Sequence, residues 1–78
     1  MLATKKLLDF IIKQDKELSE YHSLIKPLQE RFWITKLSGY TNDATGELVD
    51  FIINWEEHTE IPTSLERLLN ENFWIRTR

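Results

Sequence analysis

The chain contains no cysteine among its 78 residues. Disulfides and thiolate metal sites are excluded, and nothing in the composition demands an oxidising compartment. Glycine occurs twice and proline twice, too few for a glycine-rich phosphate cradle or a low-complexity linker. No GxGxxG, GxxxxGK, HExxH or nucleophile-elbow pattern is present. The sequence accordingly predicts a protein that is not an enzyme, with no catalytic, cofactor-binding or metal-binding residue. Long apolar runs are missing too: Asp9 breaks the opening MLATKKLLDFIIKQDK, no small-residue cleavage site follows, and no stretch approaches the roughly 18 apolar residues of a membrane span. A cytoplasmic protein is the expectation. Basic excess is likewise absent, since 10 Lys and Arg stand against 13 Asp and Glu for a net charge of -3, the wrong sign for a nucleic-acid binder.

What is present is a doubled phrase. ATKKLLDFII at 3–12 returns as ATGELVDFII at 44–53, and SLIKPLQERFWI at 23–34 returns as SLERLLNENFWI at 64–75, always 41 positions on and without a gap. Over residues 3–37 against 44–78, 14 of 35 positions are identical, far above chance, so the chain reads as one small domain built from two tandem repeats. The copies differ in charge. Residues 1–37 carry seven basic and five acidic groups (+2), and residues 38–78 carry three basic and eight acidic (-5).

Within each copy the apolar residues fall at helical steps. Leu7, Leu8, Phe10, Ile11 and Ile12, with their counterparts Leu48, Val49, Phe51, Ile52 and Ile53 plus Trp55, predict a first helix over roughly 3–16 and 44–57. The cluster Thr41, Asn42, Asp43 offers side-chain oxygens to the second of these helices, and Glu47 suits its dipole. Leu24, Leu28 and Phe32, matched by Leu65, Leu68, Leu69 and Phe73, predict a second helix in each copy. In the second copy it runs from about 64 to 75 behind a Thr63/Glu66 capping box. In the first it starts at Pro27, leaving 18–25 as a separate short helical turn. Strands are not expected, because no alternation is sustained. A lone hairpin cannot cover its own apolar face, so two of them predict an all-α, antiparallel four-helix bundle with internal pseudo-twofold symmetry, joined through SGYTND at 38–43.

Positions kept in both copies are mostly apolar, among them Leu7/Leu48, Phe10/Phe51, Ile11/Ile52, Ile12/Ile53, Leu28/Leu69, Phe32/Phe73, Trp33/Trp74 and Ile34/Ile75, and all are assigned to the core. Kept polar residues include Asp9/Asp50, Ser23/Ser64 and Glu30/Glu71. Four carboxylates in a symmetric bundle suggest a di-metal site, but such sites add Glu-x-x-His motifs, and Glu17 to His22 and Glu57 to His58 have the wrong spacing. The acids are read as surface groups, helix-pair partners for Lys5, Lys6 or Lys13, or acceptors for a tryptophan indole N–H.

INWEEHTEIP at 53–62 has no counterpart in the first copy. It sets Trp55 beside Glu56, Glu57 and Glu60 at a helix C-terminus, where negative charge is unfavourable. A partner-binding lip of Trp55, Glu56, Glu57 and Glu60 is one reading and simple space-filling by Trp55 is the other. Arg76 and Arg78 in the terminal FWIRTR are a docking tail or a frayed end. The broad apolar arcs also leave a homodimer open.

The doubled LLDFII/LVDFII and ERFWI/ENFWI phrases, the acidic small chain and its proline-broken middle resemble the PAS factor family, small proteins of vibrios associated with enhanced secretion of exoproteins. The resemblance implies a helical fold of four longer helices in an antiparallel bundle and a non-enzymatic helper of protein export. No functional residue carries across with it. A phage- or mobile-element-type inhibitor acting by protein binding is the second functional expectation.

Overall fold

The structure, a computed structural model, describes residues 2–14, 17–38, 43–58 and 64–78. Helix α1 spans Thr4–Lys13, followed by a 3₁₀ helix over Leu18–Leu24 and helix α2 over Ile25–Arg31. Strand β1, Phe32–Lys36, closes the first copy. The second copy has α3 over Thr45–His58, α4 over Leu65–Asn72 and strand β2 over Phe73–Thr77.

Local chemistry accounts for most of these boundaries. Asp43 accepts from the Thr45 amide at 3.0 Å and from its hydroxyl at 2.6 Å, satisfying a free donor at the start of α3. Thr41, Asn42 and Thr63, the other expected caps, lie outside the described residues. Ser64 caps α4 by accepting from the Arg67 amide at 3.3 Å. Pro27 is the third residue of α2 rather than its first, still within the turn whose amides have no partner inside the helix. The 3₁₀ helix before it opens on a reciprocal capping box of Glu17 and Glu20.

The all-α four-helix bundle is overturned by a five-residue stretch near the end of each copy. The backbone leaves the helical region at Phe32 (φ -134°, ψ 151°) and Phe73 (φ -136°, ψ 154°), and FWITK pairs antiparallel with FWIRT. Both runs combine aromatic and β-branched residues, which fit a half-buried pleated surface better than a helix. They also alternate: Phe32 and Ile34, like Phe73 and Ile75, are buried, while Trp33 and Trp74 between them are 40% and 50% exposed. The fold is a small mixed one of helices and a two-stranded sheet, and the two tryptophans leave the expected core. Ile12, 74% exposed, leaves it as well, and Phe10, Phe51 and Ile53 are only partly buried against it.

The two copies are related by an internal twofold whose axis passes between Ile34 and Ile75, which pair with each other. Trp33 faces Arg76 and Thr35 faces Trp74; adding 41 to the lower number and subtracting 41 from the higher converts either pair into the other. The backbone bonds around the ladder obey the same operation. Ala3 N–H donates to Ile75 O at 2.8 Å, and Ala44 N–H to Ile34 O at 2.9 Å; Leu37 N–H donates to Asn72 O at 3.1 Å, and Arg78 N–H to Arg31 O at 3.0 Å. These four bonds all run from one copy to the other. Helix packing follows suit, with α1 against α4 and α3 against α2, so the expected hairpins are exchanged.

Leu7, Leu28, Ile34 and their counterparts Leu48, Leu69 and Ile75 fill the centre of one core, all at 1% exposure or less. Thr4 and Thr45 sit there too, each 1% exposed. The Thr4 hydroxyl donates to Asn70 Oδ1. At the matching place the Thr45 hydroxyl donates to Asp43 Oδ1, and Asp43 Oδ2 accepts from Gln29 Nε2 at 2.6 Å. Gln29 and Asn70 are the same repeat position, so one side makes a direct threonine–amide contact and the other inserts a carboxylate.

Candidate interaction surface

A two-stranded sheet has two faces, and helices cover one. The inner face buries Phe32, Ile34, Phe73 and Ile75. Side chains of alternate parity, Trp33, Thr35, Trp74 and Arg76, take the other. Leu37, 53% exposed, and Arg78 extend this outer face at opposite corners.

The face is ordered. Arg78 N–H bonds Arg31 O, its Nε donates to Phe32 O at 3.1 Å, and its guanidinium lies 4.7 Å from the centre of the Trp33 ring. The Arg78 guanidinium is thus stacked on an indole and bonded to a backbone carbonyl. Beside Trp74, a cavity of about 530 Å³ is lined by Leu2, Leu37, Asn70, Phe73, Trp74 and Arg76, a size suited to one or two apolar side chains. Both strand edges are partly blocked, since Ala3 and Ala44 occupy the carbonyls of Ile75 and Ile34. An added β-strand would find Ile75 O already used on one side, and Ile34 O and Phe32 O on the other.

The other candidate residues do not join this surface. Trp55 is half-buried on α3, and its indole N–H is buried with no hydrogen-bond partner among the described residues. Glu56 and Glu57 belong to the end of α3, and their side chains, like Glu60, lie outside the described residues. No described contact connects Trp55 with Arg76 or Arg78, so an acidic lip and an arginine tail do not form one site among the described residues.

The kept carboxylates are dispersed. Asp50 meets His22 Nε2 at 2.7 Å on the surface, and Glu71 pairs with Arg67 at 3.2 Å within α4. Asp9 and Glu30 share a groove with Lys6, Lys13 and Arg31. Among the described residues no three His, Asp or Glu side chains gather as metal ligands would. Ser23 donates to Glu20 O at 2.6 Å, a local turn contact. Among the described residues no helix is long and apolar enough to cross a membrane.

Sequence reasoning placed the tryptophans inside because it continued the helical period through ERFWI and ENFWI. The signal for the outer face was the alternation in FWITK and FWIRT, each only five residues long. The buried threonines have a sequence signal of their own, since Ala-Thr opens both copies.

Comparison with the models of known families, with curated proteins and with solved structures gave no match to this chain.

Proposed function

We propose that the protein is a non-enzymatic interaction module, working in the cytoplasm, that docks a protein partner on the outer face of its sheet. The observation that carries this reading is the solvent exposure of two symmetry-related tryptophans, 40% and 50%, flanked by Arg76 and Arg78. Tryptophan and arginine dominate the energetics of protein interfaces, because a rigid ring or guanidinium plane buries much area at small entropic cost. An exposed indole serves no purpose in a core, and the cavity at Trp74 offers a seat for an anchor residue. Of the residues expected from sequence to bind a partner, Arg76 and Arg78 are retained, and Trp33 and Trp74 take the place of Trp55 and the neighbouring glutamates.

Promotion of exoprotein secretion enters through the PAS factor resemblance alone, and the sheet departs from the helical bundle which that resemblance implies. The docking reading stands without it. A photo-crosslinking side chain at Leu37, introduced in the source cell, tests the reading. A discrete adduct is expected that disappears in the Trp33→Ala/Trp74→Ala variant and is absent when the crosslinker is moved to Glu66 on α4. Recovery of a secretion component would support the export role, and recovery of a polymerase, nuclease or defence complex would support the inhibitor role. An adduct indifferent to both tryptophans would overturn the docking face.

A further inference from the structure

The internal twofold gives each surface groove a counterpart, and one such pair has diverged in charge. The first groove, about 640 Å³, runs between α1, α2 and the end of β2 and contains Asp9, Phe10 and Phe32. The second, about 350 Å³, contains Asp50, Phe51 and Phe73 at the corresponding positions. The rest of the lining differs in charge. Lys6 corresponds to Glu47, a reversal, Lys13 to Asn54 and Arg31 to Asn72, both neutral, while Thr77 corresponds to Lys36; Arg78 lines the first groove, and its counterpart Leu37 is uncharged. Four cations stand against two carboxylates, Asp9 and Glu30, in the first groove, a net +2. In the second, Lys36 stands against Glu47 and Asp50, a net -1.

The basic groove is preorganised. The Arg31 guanidinium lies 4.7 Å from the centre of the Phe10 ring, whereas in the acidic groove Phe51 meets the edge of Phe73, centroids 5.9 Å apart at 84°. Arg78 is fixed by Phe32 O and by Trp33. Among the described residues none of the four cations forms an ion pair. Phe10 and Phe32 supply an apolar floor beneath them. Two exposed lysines, two oriented arginines and an aromatic floor suit carboxylates flanked by apolar side chains, with arginine giving geometry and lysine giving charge.

We propose that the groove of Lys6, Lys13, Arg31 and Arg78 binds an acidic, apolar-flanked segment of the protein partner, and that its pseudo-symmetric counterpart does not. The proposal rests on the docking function assigned to the outer face and extends it: Arg78 lines the groove and stacks on Trp33, so one side chain joins the two surfaces. A partner chain that seats an apolar residue near the tryptophans continues into the groove with its carboxylates. The charge difference between the grooves then fixes which way round it lies on an otherwise twofold surface.

The test uses the intact protein and a synthetic peptide of alternating glutamate and leucine, followed by backbone and indole nuclear magnetic resonance. Expected is a single site, with shifts at Lys6, Lys13 and Arg31 and none at Glu47 and Asn54, weakening as salt screens the exposed charges. Lys13→Glu/Arg31→Glu should reduce affinity by about tenfold or more. Glu47→Lys/Asn54→Lys/Asn72→Arg, all at exposed positions, rebuilds the basic groove on the opposite side and should raise the stoichiometry from one to two. No binding, shifts confined to the acidic groove, or an unchanged stoichiometry in the rebuilt variant would overturn the proposal. So would tighter binding of a single-stranded oligonucleotide of equal charge, or salt-sensitive self-association that fills the groove without peptide. If the Leu37 adduct remains tryptophan-dependent while the groove is silent, the docking face survives and the groove assignment falls; if the adduct also loses that dependence, both fall.

Discussion

Ile34 and Ile75 face each other at the middle of the two-stranded ladder, and they are the same position of the repeat. Their exposures are 1% and 0%, and each carbonyl accepts the amide of the alanine that opens the other copy's first helix. The pair joins both strands and the starts of both long helices. Truncating either side chain leaves a cavity at the same symmetric place. Ile34→Ala and Ile75→Ala should each cost about 3 kcal/mol, agreeing to within about 1 kcal/mol, in urea-unfolding measurements. The double variant should depart from the sum of the two, because neighbouring sites share one cavity. A large inequality between the single variants would show that the symmetry of the ladder is not shared by the packing around it.

Exchange of partners between the copies has a consequence for fragments. A peptide covering 2–38 has its α1 and β1 but lacks α4 and β2, against which both are held. A peptide covering 43–78 lacks α2 and β1 in the same way. Each alone should show little helix by circular dichroism at micromolar concentration, since a short helix without a tertiary face is marginal. Equimolar mixing should restore the spectrum of the intact chain. Helical signal in one fragment that does not increase on mixing would contradict the crosswise arrangement.

How much of this was legible follows from the range of the interactions. Local features were readable: Asp43 before α3, the separate turn ahead of α2, and the first helix of each copy all depend on residues a few positions apart. Strand pairing was not, because β1 finds its partner 41 residues away and five residues of alternation are too short to outweigh a preceding helical period. The same slip hid the candidate site. A helical continuation sends Trp33 and Trp74 inward with Phe32 and Phe73; an extended chain sends neighbours to opposite faces. The lip around Trp55, in contrast, rests on acids set at a helix C-terminus, and the described contacts do not connect Trp55 to either arginine.

Asp43 has no acidic counterpart, since Leu2 occupies its place in the first copy. Partial burial pushes its carboxyl up, but the hydroxyl and amide of Thr45, the Gln29 amide and the charge of Arg78 together hold it below the usual carboxylate value. A carboxyl lowered on folding adds stability that is present above its unfolded pKa, about 3.9, and is lost as pH falls through the folded value. Asp43→Asn should lose about 1 kcal/mol at neutral pH, the worth of a helix cap. Its deficit relative to the parent should shrink as the pH is lowered below about 4. Parallel urea titrations of the two proteins from neutral to acid pH measure this, and a constant difference would separate Asp43 from the acid response.

The threonines that open the two long helices are identical in sequence and in burial, yet their hydroxyls have different partners: Asn70 for Thr4, and Asp43 followed by Gln29 for Thr45. Valine fills nearly the same volume and removes the donor. Thr4→Val and Thr45→Val should each destabilise by about 1 to 2 kcal/mol, the cost of leaving a partner acceptor unsatisfied. They should differ in pH dependence. The Thr45 hydroxyl is one of the bonds that lowers the Asp43 carboxyl, so Thr45→Val should flatten the acid limb of the stability profile, whereas Thr4→Val, whose partner is an uncharged amide, should shift the whole profile without changing its shape. Two identical residues at equivalent positions would then be told apart by pH alone, and equal profiles for both variants would show that the carboxylate is not part of the Thr45 contact.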